Sequence, residues 1–164
     1  MLRGWALVAG LVLAGPALAE EDLPAVEIYM PSPCLACIDW GVHLMDNGFK
    51  VTYREMADMA ALKRRLKVPP AVESVHTALV GGYFVEGHVP AEDIKTLLKE
   101  KPKARGIAVP GLPRGAPGRE MSNPTCETAC TILDDATAER DVRRELFDTV
   151  LVGRDGKVSR YARH

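Results

Sequence analysis

The sequence predicts an α/β fold in which a mixed β-sheet packs against helices. Strand-like apolar runs alternate with helical segments, and a Gly-Gly pair joins two of the strands. Glycine- or proline-containing breaks separate the elements. The 164-residue chain has 21 basic and 22 acidic side chains and a formal charge of −1. This balance gives no indication of nucleic acid or an anionic membrane surface as a partner.

The N-terminus has the pattern of a cleavable signal peptide. Arg3 supplies a positive charge, residues 5–13 form an apolar core, and Ala-Leu-Ala at residues 17–19 is a small-x-small cleavage pattern. The apolar run is shorter than the about 20 residues that a membrane span needs. We therefore expect cleavage after Ala19 and a single periplasmic or secreted domain over residues 20–164. An uncleaved anchor is the alternative.

The elements predicted within residues 25–100 follow the order β-α-β-α-β-β-α. Strands are predicted at residues 25–30, 49–54, 77–80 and 83–85, and helices at residues 34–47, 59–66 and 91–100. Pro69-Pro70 ends the second helix, Gly81-Gly82 is typical of a two-residue hairpin turn, and Pro90 begins the third helix. This order, with Cys-x-x-Cys directly after the first strand, is typical of a thioredoxin-like fold.

The composition changes after residue 104, which we take as the end of the core that begins at residue 25. Residues 106–118, GIAVPGLPRGAPG, contain four glycines and three prolines. Such a segment is too stiff and too poor in hydrogen-bond donors for a helix or a central strand, so a surface loop is expected. This loop and an insert occupy residues 105–141. Residues 142–164 are predicted to form a C-terminal hairpin that could add strands to the sheet.

Cys34 and Cys37 are the first candidates for chemistry because they open the first predicted helix. The helix dipole and the free backbone N–H groups at that end favour the thiolate form. Thiolates attack disulfides and bind soft metal ions. The pair therefore indicates a redox centre or a soft-metal site, and a short-span structural disulfide is the alternative.

A second pair, Cys126 and Cys130, lies in the insert. Four-residue spacing places both side chains on one face of a helix. The two cysteines could form a local disulfide, bind a soft metal together, or pair with Cys34 or Cys37. The spacing does not choose between these arrangements.

Four segments of the chain, PSPCLACIDWGVHLMDNGFKV, LKRRLKVPP, SVHTALVGGYFVEGHVPAEDIKTLL and RGIAVPGLPRGAPG, resemble one known family. This is the exported metal-binding family first catalogued as a domain of unknown function, which includes the copper-resistance protein CopG. The resemblance covers residues 27–121 and resumes in the hairpin that ends at His164. It implies a thioredoxin-like fold, a periplasmic location and copper handling through cysteine-rich ligands.

The resemblance assigns family site positions to particular residues of this chain. Cys34 and Cys37 match the outer cysteines of the family's first motif, and His76 and His88 match its HTA and EGH histidines. Departures fall at two positions where the family has cysteine, Ala36 and Val75, and at two where it has methionine, Leu112 and Arg119. Since Cu(I) prefers thiolate and thioether donors, each departure removes a soft ligand. Cys34 and Cys37 alone are too few for a multinuclear, cysteine-bridged copper site.

The metal ligands predicted for this chain are Cys34, Cys37, His76, Met121, Cys126 and Cys130. The two insert cysteines would then replace lost ligands. The predicted function is periplasmic binding of a soft metal, copper as Cu(I), in metal homeostasis or resistance, with copper-handling or redox proteins of the periplasm as partners.

The alternative function is that of a thiol–disulfide oxidoreductase. Solvent-facing Cys34 would be the nucleophile and Cys37 the resolving thiol. The residue before Thr77 is a histidine, where such enzymes commonly have a cis-proline, and this counts against the enzyme. Other polar side chains are interpreted as structural: His43 as a surface or packing residue, Glu86 as a solvated or turn-stabilising carboxylate, and His164 as unconnected to the site.

Overall fold

The computed structural model describes residues 23–120 and 145–164. Within these ranges the chain forms seven strands, three α-helices and one 3-10 turn. The strands are β1 (Val26–Met30), β2 (Val51–Glu55), β3 (Thr77–Val80), β4 (Tyr83–Glu86), β5 (Ala104–Ala108), β6 (Asp148–Gly153) and β7 (Val158–Arg163). The helices are α1 (Leu35–Asp46), α2 (Met59–Leu66) and α3 (Ala91–Glu100), and the 3-10 turn is Pro70–Val72. The predicted signal peptide lies outside the described residues.

All seven strands belong to one mixed sheet in the order β2-β1-β3-β4-β5-β6-β7. The pairs β1–β2 and β4–β5 are parallel, and the other neighbours are antiparallel. The mixed α/β class predicted from the sequence is therefore confirmed. No helix in the described parts of the chain is long and apolar enough to span a membrane.

Apolar side chains cover both faces of the sheet. In β4 and β5, Val85 and Ile107 enter the main cluster with residues of α1 and α3, whereas Phe84 and Ala108 enter a second cluster beside α2. Successive strand residues point to opposite faces, so neighbouring positions supply different clusters. The main cluster includes Val26, Ile28, Trp40, Leu44, Ile94 and Leu97.

Helix α1 begins where the sequence predicts. Cys34 is its N-cap, Asn47 is its C-cap, and Cys37, Gly41 and Leu44 lie on its buried face. Met45, the residue after Leu44, is 45% exposed. One residue step turns a helix by about 100°, so a position next to the last buried residue already faces outward.

Strand β5 contradicts the predicted core boundary at residue 104 and the first three residues of the loop predicted over residues 106–118, whereas residues 109–118 form no helix or strand, as predicted. It is a central strand between β4 and β6, and Ile107 and Ala108 are fully buried. A Cβ atom at Gly106 would overlap the carbonyl oxygen of Phe84 and lie 2.7 Å from its ring. Glycine at position 106 therefore permits close packing of β5 on Phe84. The glycine and proline content of residues 106–118 alone had predicted irregular structure.

The predicted C-terminal hairpin is confirmed. Strand β6 pairs antiparallel with both β5 and β7, so the hairpin extends the sheet by two strands. The backbone of His164, just beyond β7, exchanges hydrogen bonds with that of Phe147. The end of the chain is thereby attached to the domain.

Candidate functional site

Cys34 and Cys37 form a disulfide at the N-terminus of α1, with their Cα atoms 5.3 Å apart. The backbone N–H of Cys37 donates to the Cys34 sulfur at 3.3 Å. This contact satisfies one of the N–H groups that a helix start leaves free. Cys34 is 1% exposed and Cys37 is fully buried, so the expectation of a solvent-facing Cys34 is wrong.

Met30, Tyr53 and Val75 pack around the disulfide. Val75 therefore lies at the edge of the cluster that Met30 forms with the two cysteines. Met30 adds a thioether that sequence analysis did not identify as a candidate ligand. The sequence feature that could have identified Met30 is the alternation of side-chain direction along β1. This alternation places Met30 on the same buried face as Val26 and Ile28.

His76 is fully buried between two other rings. Its centroid lies 4.5 Å from that of Trp40 and 4.8 Å from that of His88. Neither ring nitrogen of His76 has a hydrogen-bond partner within the described ranges. Burial, with smaller contributions from His88 and Lys63, holds the pKa of His76 well below its usual value, and the nearby backbone of Gly87 opposes the shift. The ring is therefore neutral near pH 7, and one nitrogen presents a free lone pair.

The position of Trp40 relates His76 to the disulfide. Cys37 and Trp40 are three residues apart on α1, so their side chains lie on neighbouring turns of one face. The His76 imidazole packs on Trp40, one helical turn after Cys37 on that face. The adjacent Val75 packs against the cluster formed by Met30, Cys34 and Cys37. The ligand set that combines Cys34 and Cys37 with His76 stays a prediction.

His88 extends this buried group. Its Nδ1 lies 2.8 Å from the carbonyl oxygen of Pro117. A carbonyl only accepts, so Nδ1 carries the proton and Nε2 has the lone pair. Nε2 has no partner among the described residues, and burial lowers the pKa of His88 to about 4. His88 is a second buried nitrogen donor, although it was left out of the predicted ligand set.

The loop before the insert packs onto α1. At Gly118, which has a φ of +76°, a Cβ atom would lie 2.6 Å from the backbone nitrogen of Trp40 and 3.0 Å from the carbonyl oxygen of Ala36. The contact therefore requires glycine. Three predicted ligands, Met121, Cys126 and Cys130, lie outside the described residues.

Arg119 is buried without an ion-pair partner in the described part of the chain. It is 4% exposed, and its Nε and Nη1 atoms have no hydrogen-bond partner. Nη2 donates to the carbonyl oxygen of Leu112 at 3.3 Å. Burial lowers the pKa of this guanidinium, while the charge of Glu145 opposes the shift.

Three polar residues interpreted as structural have more defined roles than expected. His43 accepts a hydrogen bond from the first N–H of α3, that of Ala91, at 3.1 Å. His164 lies 2.9 Å from a carboxylate oxygen of Asp93, so it is held in place, although still outside the site. Glu86 is fully buried and not solvated, but it does stabilise the chain before β3 through bonds to the backbone of Ser74.

The chemistry of the site depends on the oxidation state of its cysteines. Within residues 23–120 and 145–164, no group of three or more histidine, cysteine, aspartate or glutamate side chains is arranged to hold a metal ion. In a disulfide, neither sulfur is a thiolate, which is the form that binds metals. Reduction would supply two thiolates next to the thioether of Met30. This donor set fits a soft ion such as Cu(I).

Comparison with known proteins identifies the family. Residues 72–119 match the model described as protein of unknown function, DUF411. Two solved structures of the copper resistance protein CopG, forms 2 and 1, are 38% identical to this chain, with TM-scores of 0.71 and 0.70. Each comparison covers 87% of this chain and 98% of the CopG chain. No curated protein matches. This chain therefore belongs to the DUF411 family, with the copper resistance protein CopG as a relative of known structure.

Proposed function

We propose that this protein binds Cu(I) once the Cys34–Cys37 disulfide is reduced, and that it acts in copper resistance outside the cytoplasm. One observation carries the proposal. The imidazole of His76 is fully buried, its nitrogens have no hydrogen-bond partner among the described residues, and it packs on Trp40, one helical turn after Cys37. The names of the solved relatives support copper as the metal.

The His76 ring, which has no hydrogen-bond partner among the described residues, has a lone pair available to bind a ligand. Burying a polar group without a hydrogen bond costs about 1–3 kcal/mol, and nearly all buried polar groups in native proteins are paired. A metal ion would take the lone pair that no donor in the described structure uses. Because the pKa of His76 is depressed by burial, protons compete poorly with a metal for this nitrogen near neutral pH.

Reduction would give the site its anionic donors. The Cys34 sulfur already accepts the Cys37 N–H at the start of α1, and this contact would stabilise a thiolate there. Two thiolates satisfy Cu(I), with Met30 and His76 as neutral donors nearby. The described residues thus support one copper ion better than a cysteine-bridged cluster, because Ala36 and Val75 supply no sulfur.

The insert would complete the site in this proposal. Met121, Cys126 and Cys130 are soft donors that follow the loop whose last turn packs on α1 through Gly118. The short tether from Gly118 supports a role for these side chains at the same helix end. They would compensate for the sulfur ligands missing at Ala36 and Val75.

Fold and location are part of the proposal. The succession β1-α1-β2, the β3–β4 hairpin, α3, and a cysteine pair at the start of α1 support a thioredoxin-like assignment. The cleavage pattern before residue 20 supports export. Disulfides persist in the bacterial periplasm and in other oxidising compartments, which agrees with a Cys34–Cys37 bond in the folded chain.

The decisive experiment is an anaerobic competition of the protein against a Cu(I) chelator. Reduced wild type should bind Cu(I), and the disulfide form should bind about 100-fold more weakly or worse, a difference of a little under 3 kcal/mol. Cys34→Ser and Cys37→Ser should behave like the disulfide form. His43→Asn, outside the site, is the control and should bind like wild type. Equal binding by the oxidised and reduced forms would contradict the proposal.

The disulfide itself favours a second candidate, a thiol–disulfide oxidoreductase. Burial counts against this activity, because an attacking thiolate must reach one of the sulfur atoms. Catalysed reduction of a model peptide disulfide, measured in parallel with the copper titration, separates the two functions. Turnover that requires both cysteines, without Cu(I) retention against the chelator, would favour the oxidoreductase.

A further inference from the structure

Lys63 of α2 and Glu86 of β4 form an ion pair that is almost completely removed from water. Their side chains are 5% and 0% exposed, and Lys63 Nζ bonds directly to Glu86 Oε1. Buried ion pairs add little net stability, because desolvation offsets the attraction, and well-packed apolar side chains often serve as well. The location of this pair therefore requires a reason other than stability.

The pair encloses one short segment of backbone, residues 74–77. Glu86 Oε1 accepts from the Ser74 N–H at 2.6 Å, and Glu86 Oε2 accepts from the Thr77 hydroxyl at 2.6 Å. Lys63 Nζ donates to the Ser74 carbonyl oxygen at 2.5 Å. Both polar backbone groups of Ser74 and the side chain of Thr77 are thus fixed by the same two charges.

Only an ionised carboxylate suits this arrangement. Three donors converge on Glu86: an ammonium group, a backbone N–H and a hydroxyl. A carboxylate offers acceptor sites on both oxygens, whereas an amide would turn one donor group toward them. Burial raises the pKa of Glu86, and the adjacent Lys63 opposes this shift.

The two residues between the fixed points belong to the site. Val75 packs on the disulfide, and His76 packs on Trp40. The His76 carbonyl accepts from the N–H of Gly87, the residue after Glu86, at 3.0 Å. Because the imidazole makes no hydrogen bond of its own within the described structure, its backbone and its packing set its position.

We propose that Lys63 and Glu86 are positioning residues, which fix the backbone of residues 74–77 and so hold Val75 against the cluster of Met30, Cys34 and Cys37 and hold His76 against Trp40. The part that concerns copper rests on the proposed function. The part that concerns the position of His76 does not, since it applies to the metal-free, oxidised protein.

The first measurement uses that protein. Histidine side-chain ¹H–¹⁵N spectra report the position of the His76 ring, and the backbone amide of Val75 reports the segment. In Lys63→Met/Glu86→Met, which removes both charges, these signals should shift or broaden, while those of β6 and β7 stay in place. Lys95→Met, which breaks the exposed Lys95–Glu92 pair on α3, is the control and should leave His76 unchanged.

A milder pair of variants remains informative if the double variant does not fold. Thr77→Val removes one of the three donors to Glu86 and leaves the ion pair intact, so a smaller shift of the same signals is expected. Thr77→Ser keeps the hydroxyl and should restore the wild-type spectrum. A role limited to packing would give similar spectra for both variants and would contradict the proposal.

Copper affinity is the second measurement. After reduction, the double variant should bind Cu(I) about 10- to 100-fold more weakly than wild type, the usual effect of removing groups that orient a metal ligand. If wild type itself fails to bind Cu(I), the proposed function is wrong, and the His76 spectra still decide the positioning role. Unchanged His76 and Val75 signals in the folded double variant would overturn the proposal. So would loss of cooperative unfolding in both the double variant and Thr77→Val, since the network would then serve the fold alone.

Discussion

Single side chains decide how many soft donors this site can supply. Val75 and Met30 both pack on the Cys34–Cys37 disulfide, but only Met30 carries sulfur. Valine contributes apolar packing where the resembling family has a thiol. In the cluster that contains the two cysteines, the only further sulfur that the described residues supply is therefore that of Met30.

Restoring a thiol at this position should strengthen copper binding. Val75→Cys places a third sulfur beside Cys34 and Cys37, so we expect Cu(I) affinity to rise about tenfold, or the copper stoichiometry to increase, in the reduced protein. Chelator competition measures both. Val72→Cys, in the cluster on the other side of the sheet, is the matched control and should change neither. If Val75→Cys also leaves both unchanged, a thiol at position 75 does not act as a ligand, and the alignment of this position with a family cysteine needs revision.

At the scale of elements, β5 has the least expected position. It joins the hairpin of β6 and β7 to the rest of the sheet, although it lies in a glycine- and proline-rich stretch. Gly106 makes this possible because its missing side chain lets β5 lie directly against Phe84. The element thus depends on a contact between residues 22 positions apart.

A side chain at residue 106 should therefore separate the strands. Gly106→Ala is expected to lower the free energy of unfolding by about 3 kcal/mol, at the upper end of overpacking costs, because the obstructing atom belongs to the backbone. Urea unfolding measures the change. The matched control is Gly153→Ala, where the nearest atom belongs to the flexible side chain of Asp155. Equal stability losses in the two variants would refute a specific role for Gly106.

For the whole molecule, burial of neutral histidines links stability to pH. The pKa of His88 is about 4 in the folded protein, against 6.5 for an unperturbed histidine, and the pKa of His76 is shifted in the same direction. Between these values the unfolded chain binds protons that the folded chain does not. The stability contributed by the neutral rings is therefore complete above pH 6.5 and is lost as the pH falls toward 4.

Acid should consequently unfold the protein through these rings. We expect His88 alone to account for about 3 kcal/mol of the loss between pH 6.5 and 4, measured by urea unfolding of the oxidised protein. His88→Asn keeps a donor for the Pro117 carbonyl and does not titrate, so its stability should fall less over this range. The same slope in wild type and His88→Asn would show that His88 does not carry the effect.

The sequence alone determined the features that depend on neighbouring residues. Apolar periodicity located α1, α2, α3 and the strands β1 to β4, and the Cys-x-x-Cys motif marked the start of α1 without deciding between a disulfide and free thiols. The C-terminal hairpin also followed from its local turn signal. These predictions succeed because a few consecutive residues supply the interactions that form each feature.

Only the tertiary structure decided what depends on distant residues. It placed β5 inside the sheet, Met30 beside the disulfide, the ring of His76 between Trp40 and His88, and His164 on Asp93. It also removed Glu86 from water and paired it with Lys63. Burial and charge pairing are set by segments that meet only after folding, so a local pattern such as E-G-H marks a position without revealing its partner.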